Sequence, residues 1–150
     1  MARQLTINVR AEGVRETLAA FRSLPKDANN ELRAASLDLS RLLALKAAAA
    51  GEAEGSQAAL VAGTVKAARD RVPVVQAGGT KRLGSRRKPA WKLLFGSEFG
   101  SNQYTQFPRL HQGREGIWFF PTIEENAAEI AARWREAADR TIAAFSKGAD

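Results

Sequence analysis

The sequence predicts an α+β protein in which a small sheet accompanies long amphipathic helices. Three observations carry that expectation. Leu5, Ile7 and Val9 alternate with Thr6, Asn8 and Arg10, the two-residue period of a strand with one buried face. Leu32, Ala35, Leu39, Leu42 and Leu43 form one stripe downstream of Pro25, as a long helix requires. Ile123, Ala127, Ile130, Trp134, Ala138, Ile142 and Phe145 line up as the apolar face of a helix near the C-terminus. The 150 residues fit a single domain, 1–150, with chain enough for a real core.

In order, the first strand gives way at Gly13 to a short helix over 14–22, where Val14, Leu18 and Phe21 share a face. Pro25 suits the first turn of the next helix, and Asp27 and Glu31 favour its positive end. That helix is expected over about 25–50, roughly 39 Å long at 1.5 Å per residue, with Gly51 and Gly55 ending it. A short helix over about 56–68 follows, although Gly63-Thr64-Val65 also reads as the start of a strand. Residues 71–77 (RVPVVQA) read as a strand, with Pro73 marking an edge position or a strand start. Gly78-Gly79 turns the chain into a basic loop or hairpin tip over 80–88, within a loop region of 78–89. A third strand is expected over 90–95, then a long loop over 96–120 that holds many of the aromatic residues. Thr122-Ile123-Glu124-Glu125 matches a capping box that opens the final helix, about 122–146, and Lys147-Gly148 closes it.

Composition excludes several classes of function. There is no cysteine, so disulfides, thiol catalysis and cysteine-based metal sites are ruled out. The first residues, MARQLTINVR, have no apolar run suited to a signal peptide, and no segment has the apolar length of a membrane span. The expectation is a soluble protein made in the cytoplasm, with no membrane partner. The net charge of +7 is uneven: residues 1–60 carry +1, residues 61–115 carry +8 and residues 116–150 carry −2. The excess centres on Lys81, Arg82, Arg86, Arg87 and Lys88, candidate contacts for DNA or for an acidic protein partner.

Candidate chemistry is sparse. His111 is the lone histidine, without a second ligand at metal spacing. Gly96-Ser97-Glu98-Phe99-Gly100 has the look of a nucleophile elbow, but its serine is misplaced and its context is not strand–turn–helix. Gly78-Gly79-Thr80-Lys81 shares only composition with a phosphate loop. Glu124 and Glu125 are neighbours on a helix and point in different directions. No catalytic residue, metal or cofactor is assigned, and the chain is not expected to be an enzyme. Trp91, Leu93 or Leu94, and Phe95 are expected to fill the core. Tyr104 and Phe107 sit among polar residues and, with Phe99, Arg109, His111 and Arg114, are candidate contacts between subunits or rings.

The order of elements resembles a family: the small neck and tail-completion proteins, including tail terminators, of long-tailed non-contractile phages and their prophage relatives. Four features carry the resemblance. LTINVRAEGVRETLAAFRSLP leads into the long helix; a strand ends in Ala77-Gly78-Gly79; LLFGSEFG carries a Phe-Gly element; and WFFPTIEEN makes an aromatic–proline step into the last helix. Members often carry a Pro-Val-Asp-Thr-Gly-like segment after the long helix, where this chain reads AAGEAEGSQAALVAG. The resemblance implies a small, mostly antiparallel sheet packed by the long helix and the C-terminal helix. It also implies a virion structural protein, forming a usually six-fold homo-oligomeric ring at the head–tail junction. Adjacent head-closing or connector proteins and tail-tube proteins would be its partners, with phage DNA in the lumen. The alternative is a free basic nucleic-acid-binding accessory protein; a small hydrolase built on His111 ranks last.

Overall fold

The computed structural model describes residues 4–9, 11, 13–99 and 116–147. The fold is α+β: a three-stranded antiparallel sheet and a two-stranded hairpin held by two 29-residue helices and three shorter ones. Strand β1 (Gln4–Asn8) and helix α1 (Val14–Phe21) come first, as the alternation and the Val14/Leu18/Phe21 face require. Helix α2 (Lys26–Glu54) follows, then α3 (Ser56–Ala62), β2 (Lys66–Ala68) and β3 (Val74–Gly78). The hairpin strands β4 (Arg82–Leu83) and β5 (Lys88–Pro89) lead into α4 (Ala90–Phe99), and α5 (Phe119–Lys147) ends the described chain.

Long helices α2 and α5 lie antiparallel. Leu32 and Ala28 near the start of α2 share a buried cluster with Trp134 and Ala138, late in α5, whereas Lys46 near the other end donates to Asn126 Oδ1 at 3.0 Å. Phe21 of α1 completes the first cluster, with Val14 and Leu18 packed against it. A second and larger cluster joins Leu43 and Ala47 of α2, Val75 and Ala77 of β3, Leu93 and Leu94 of α4, and Trp118 and Phe119 at the start of α5. Between the clusters runs a chain of buried hydroxyls. Ser36 Oγ donates to the Arg71 carbonyl at 2.9 Å, and the Trp134 indole N–H donates to the same oxygen at 2.7 Å. Ser40 Oγ donates to the Ser36 carbonyl and accepts from the Val74 N–H at 2.8 Å. These bonds satisfy the Arg71 carbonyl and the Val74 N–H where the chain enters β3.

Five expectations are corrected. First, α2 does not end at Gly51 but runs on to Glu54, and only Gly55, with φ 158°, stops it. Gly51 is buried inside the helix, and a Cβ there would lie 2.9 Å from Trp118 Cζ3 and 3.0 Å from Ala62 Cβ. It is a close-packing glycine, not a terminator. Second, the helix expected over 56–68 stops at Ala62, and Lys66–Ala68 form β2. Third, of the two readings of Pro73 the edge position falls and the strand start holds: β3 is the central strand, flanked by β1 (Leu5 opposite Ala77, Ile7 opposite Val75) and by β2 (Ala67 opposite Val75). Pro73 precedes this strand, so its missing N–H costs no ladder bond.

Fourth, residues 90–95 are helical, not a strand. The buried positions of α4 are Ala90, Leu93, Leu94, Gly96, Ser97 and Glu98, and the side chains among them fall at helical spacing once the two polar residues are counted as interior. Both ends of the loop expected over 96–120 are helical, because Gly96–Phe99 belong to α4 and Phe119 begins α5, and residues 100–115 lie outside the described residues. Fifth, there is no capping box at Thr122. That residue lies in the first turn of α5, and its hydroxyl donates back to the Trp118 carbonyl at 2.7 Å. The cap comes from Glu98. Among the described residues no helix is long and apolar enough to cross a membrane.

Candidate functional site

The basic stretch forms the β4–β5 hairpin, with Arg82 opposite Pro89 and Leu83 opposite Lys88. Its turn is closed by the Arg87 N–H donating to the Gly84 carbonyl at 3.2 Å. The turn needs left-handed backbone at Gly84 (φ 74°) and at Arg87 (φ 50°). The Arg82 guanidinium braces it, donating to the Arg87 carbonyl at 2.8 Å. At the base of the hairpin, the Ala90 N–H donates to the Lys81 carbonyl at 2.8 Å and the Trp91 N–H to the Gly79 carbonyl at 2.9 Å. These bonds fasten the first turn of α4 to the hairpin. Leu83 turns inward, and with Leu60 and Leu93 it lines a cleft of about 290 Å³ whose rim carries Gln57, Ser85, Arg86 and Lys88. Lys81, Arg82, Arg86 and Arg87 are exposed, and none makes an ion pair with a described carboxylate. Lys88 is half-buried.

Along α4, Trp91, Phe95 and Phe99 recur every four residues and so share one side of the helix. Phe95 is 45% exposed, which corrects its expected place in the core; Leu93 and Leu94 are buried instead. The Phe95 and Phe99 rings stack with centroids 6.0 Å apart and planes inclined by 21°. Phe99 meets Phe120 at 5.6 Å, Phe120 meets Phe119 at 5.8 Å, and Phe119 meets the buried Trp118 at 5.5 Å. A continuous run of rings therefore connects the interior to an exposed aromatic face. At the hairpin end of that face the Lys92 ammonium lies 5.4 Å from the centroid of the Trp91 ring.

Glu98, which the sequence gave no reason to single out, holds this face to the last helix. Its side chain is fully buried, at 0% exposure. The carboxylate accepts from the N–H groups of Trp118 (3.3 Å), Phe119 (2.6 Å) and Phe120 (3.0 Å), and Pro121 has no N–H to satisfy. Every free donor of the first turn of α5 is thereby accounted for. Gly116 lies so close to this carboxylate that a Cβ on it would collide with the oxygen. Burial pushes the Glu98 carboxyl above its ordinary range, and the backbone N–H donors only partly offset that. Ser97, beside it, accepts from the Trp118 indole N–H at 3.0 Å and donates to the Leu94 carbonyl at 3.2 Å. Its hydroxyl is occupied in packing.

Of the other predicted contact residues, Phe99 is half-buried at the end of α4, while Tyr104, Phe107, Arg109, His111 and Arg114 lie outside the described residues. Glu124 and Glu125 are exposed on α5. Among the described residues no three histidine or acidic side chains converge as metal ligands would. An open groove of about 610 Å³ lies beside α1, lined by Val14, Leu18, Arg15, Glu16, Asp70 and Arg71 among others. Its charges of both signs balance, unlike those of the hairpin.

Known protein families, curated proteins and solved structures offer no match to this chain.

Proposed function

We propose that this chain is a virion structural protein that forms a homo-oligomeric ring at the head–tail junction of a long-tailed phage. There it joins the DNA-filled head to the tail, between head-closing or connector proteins and tail-tube proteins, and DNA passes through the ring. The observation that carries the reading is the β4–β5 hairpin: a braced loop whose exposed cations Lys81, Arg82, Arg86 and Arg87 make no ion pair with a described carboxylate, on a body held by two long antiparallel helices. Such a body suits a ring wall. Contacts of one surface on a different surface of the next copy close into a ring when the rotation allows. The hairpin then meets either passing DNA or an acidic face of a neighbouring ring, and long-range attraction speeds docking in both cases.

Negative-stain microscopy of particles assembled without this chain tests the reading. Full heads beside separate tails of normal length are the expected outcome for a joining protein. Abnormally long tails support the same reading in its tail-terminator form, because nothing then stops growth of the tube. Normal, infectious particles overturn it. They promote the alternative, a free nucleic-acid-binding accessory protein, which the exposed Phe95 ring on the helix that follows the hairpin favours.

A further inference from the structure

From Lys81 to Phe99 the chain makes one continuous surface element, the hairpin and the helix fastened to its base. This stretch holds six cations, Lys81, Arg82, Arg86, Arg87, Lys88 and Lys92. Its single acidic residue, Glu98, is buried under α5 and presents no charge outward. The same element carries the aromatic stripe of Trp91, Phe95 and Phe99, with the Phe95 ring 45% exposed. A ligand that satisfies both features is a polyanion with accessible flat π-faces. Duplex DNA offers the phosphates but keeps its base faces stacked on one another, so the rings gain nothing from it. A protein partner is the poorer fit, since charged residues are depleted at the centres of protein interfaces and here Lys92 sits against the Trp91 ring of the stripe. Single-stranded nucleic acid offers both: phosphates for the hairpin and unstacked bases for the rings.

We infer that the hairpin and the aromatic stripe of α4 form a binding site for single-stranded nucleic acid, the cations tracking its backbone and Phe95 stacking a base. The inference does not depend on the ring. Loss of the particle phenotype leaves it standing, and loss of strand binding leaves the ring reading with its protein-docking contacts.

The test is fluorescence anisotropy of the full chain with a labelled oligo-dT of about twelve nucleotides, within the site sizes such surfaces cover, and with a duplex of equal length. The single strand is expected to bind more tightly than the duplex. Its affinity should fall up to a few hundred-fold between about 50 and 200 mM salt if all six cations meet phosphates. Phe95→Leu keeps an apolar side chain and removes the stacking face, and it should weaken oligo-dT binding about tenfold while leaving duplex affinity unchanged. Phe95→Trp should restore it. Because Phe95 is largely at the surface, these variants keep the core intact, which circular dichroism verifies. Equal affinity of Phe95→Leu and the parent for oligo-dT overturns the inference, as does a duplex bound as tightly as the single strand, or oligo-dT binding without salt dependence.

Discussion

At Glu98 two effects on one carboxyl oppose each other. Burial disfavours its charge, whereas the N–H groups of Trp118, Phe119 and Phe120 and the positive end of α5 favour it; burial prevails and the pKa is raised. In the pH window between its ordinary value near 4.5 and the raised folded value, the folded protein holds a proton that the unfolded chain has released. The stabilising contribution of Glu98 is therefore complete below the ordinary value and is lost as pH rises through the folded one. Urea unfolding of the parent and of Glu98→Gln, from about pH 4 to about pH 8, reads this directly. The stability of the parent relative to the variant should decline with rising pH across that window, and a difference that grows instead would mean that the N–H donors prevail. Glu98→Ala should cost about 2 kcal/mol or more at any pH, since it leaves buried donors of the first turn unpaired. The sequence hides this role because the helix cap is supplied from 21 residues away from Phe119 and not from the adjoining turn. Thr122 and Glu125 have the spacing of a local cap and are not used as one.

Among the elements, the long helices and the short α1 were legible, whereas α4 was not and α3 was drawn too long. Two stripes long enough to repeat many times placed α2 and α5 correctly, and the alternation of Leu5, Ile7 and Val9 placed β1. A short apolar run such as Ala90–Phe95 fits either period, and only the burial of Ser97 and Glu98 completes the helical one. For the same reason the buried Ser36 and Ser40 were invisible on the inner face of α2, whose hydroxyls are satisfied by partners far along the chain. The basic hairpin of the candidate site was legible from composition alone, whereas the exposed side of α4 became visible only once that segment was a helix. Gly51 tests the element scale most sharply. At a helix end that needs left-handed backbone, Gly51→Ala would cost stability; inside a helix, alanine gains about 1 kcal/mol of propensity. Here the new methyl meets the buried Trp118 ring and Ala62, and overpacking of that kind costs about 1–3 kcal/mol. Packing should prevail, so Gly51→Ala is expected to lower the urea midpoint, with Trp118 fluorescence following the same transition; a raised midpoint would mean that the neighbours give way and helix propensity prevails.

At the scale of the whole molecule, charge is uneven along the fold. The excess of cations gathers on the hairpin, while on α5 the exposed acids Glu124, Glu125, Glu129, Glu136 and Asp139 are nearly balanced by the exposed Arg133, Arg135 and Arg140, and Arg133 pairs with Glu129 at 2.8 Å. A cationic projection suits contact with an unlike, acidic surface of a neighbour, the kind of contact a ring can use. Whether the projection meets DNA or such an acidic surface is decided by salt. Each phosphate neutralised contributes about 0.9 to the slope of log affinity against log salt on duplex DNA. Replacing Arg82, Arg86 and Arg87 together by alanine should therefore reduce that slope by about 2 to 3. Thermal stability should stay within about 1 kcal/mol of the parent, because these side chains are exposed and contribute only the Arg82 bond to the turn. An unchanged slope would remove the hairpin from DNA contact. If the parent itself shows no salt-sensitive affinity for duplex, the lumen contact fails and the acidic neighbour remains; the same triple variant should then weaken co-assembly of purified subunits at low salt and lose that effect at high salt, where screening makes parent and variant alike.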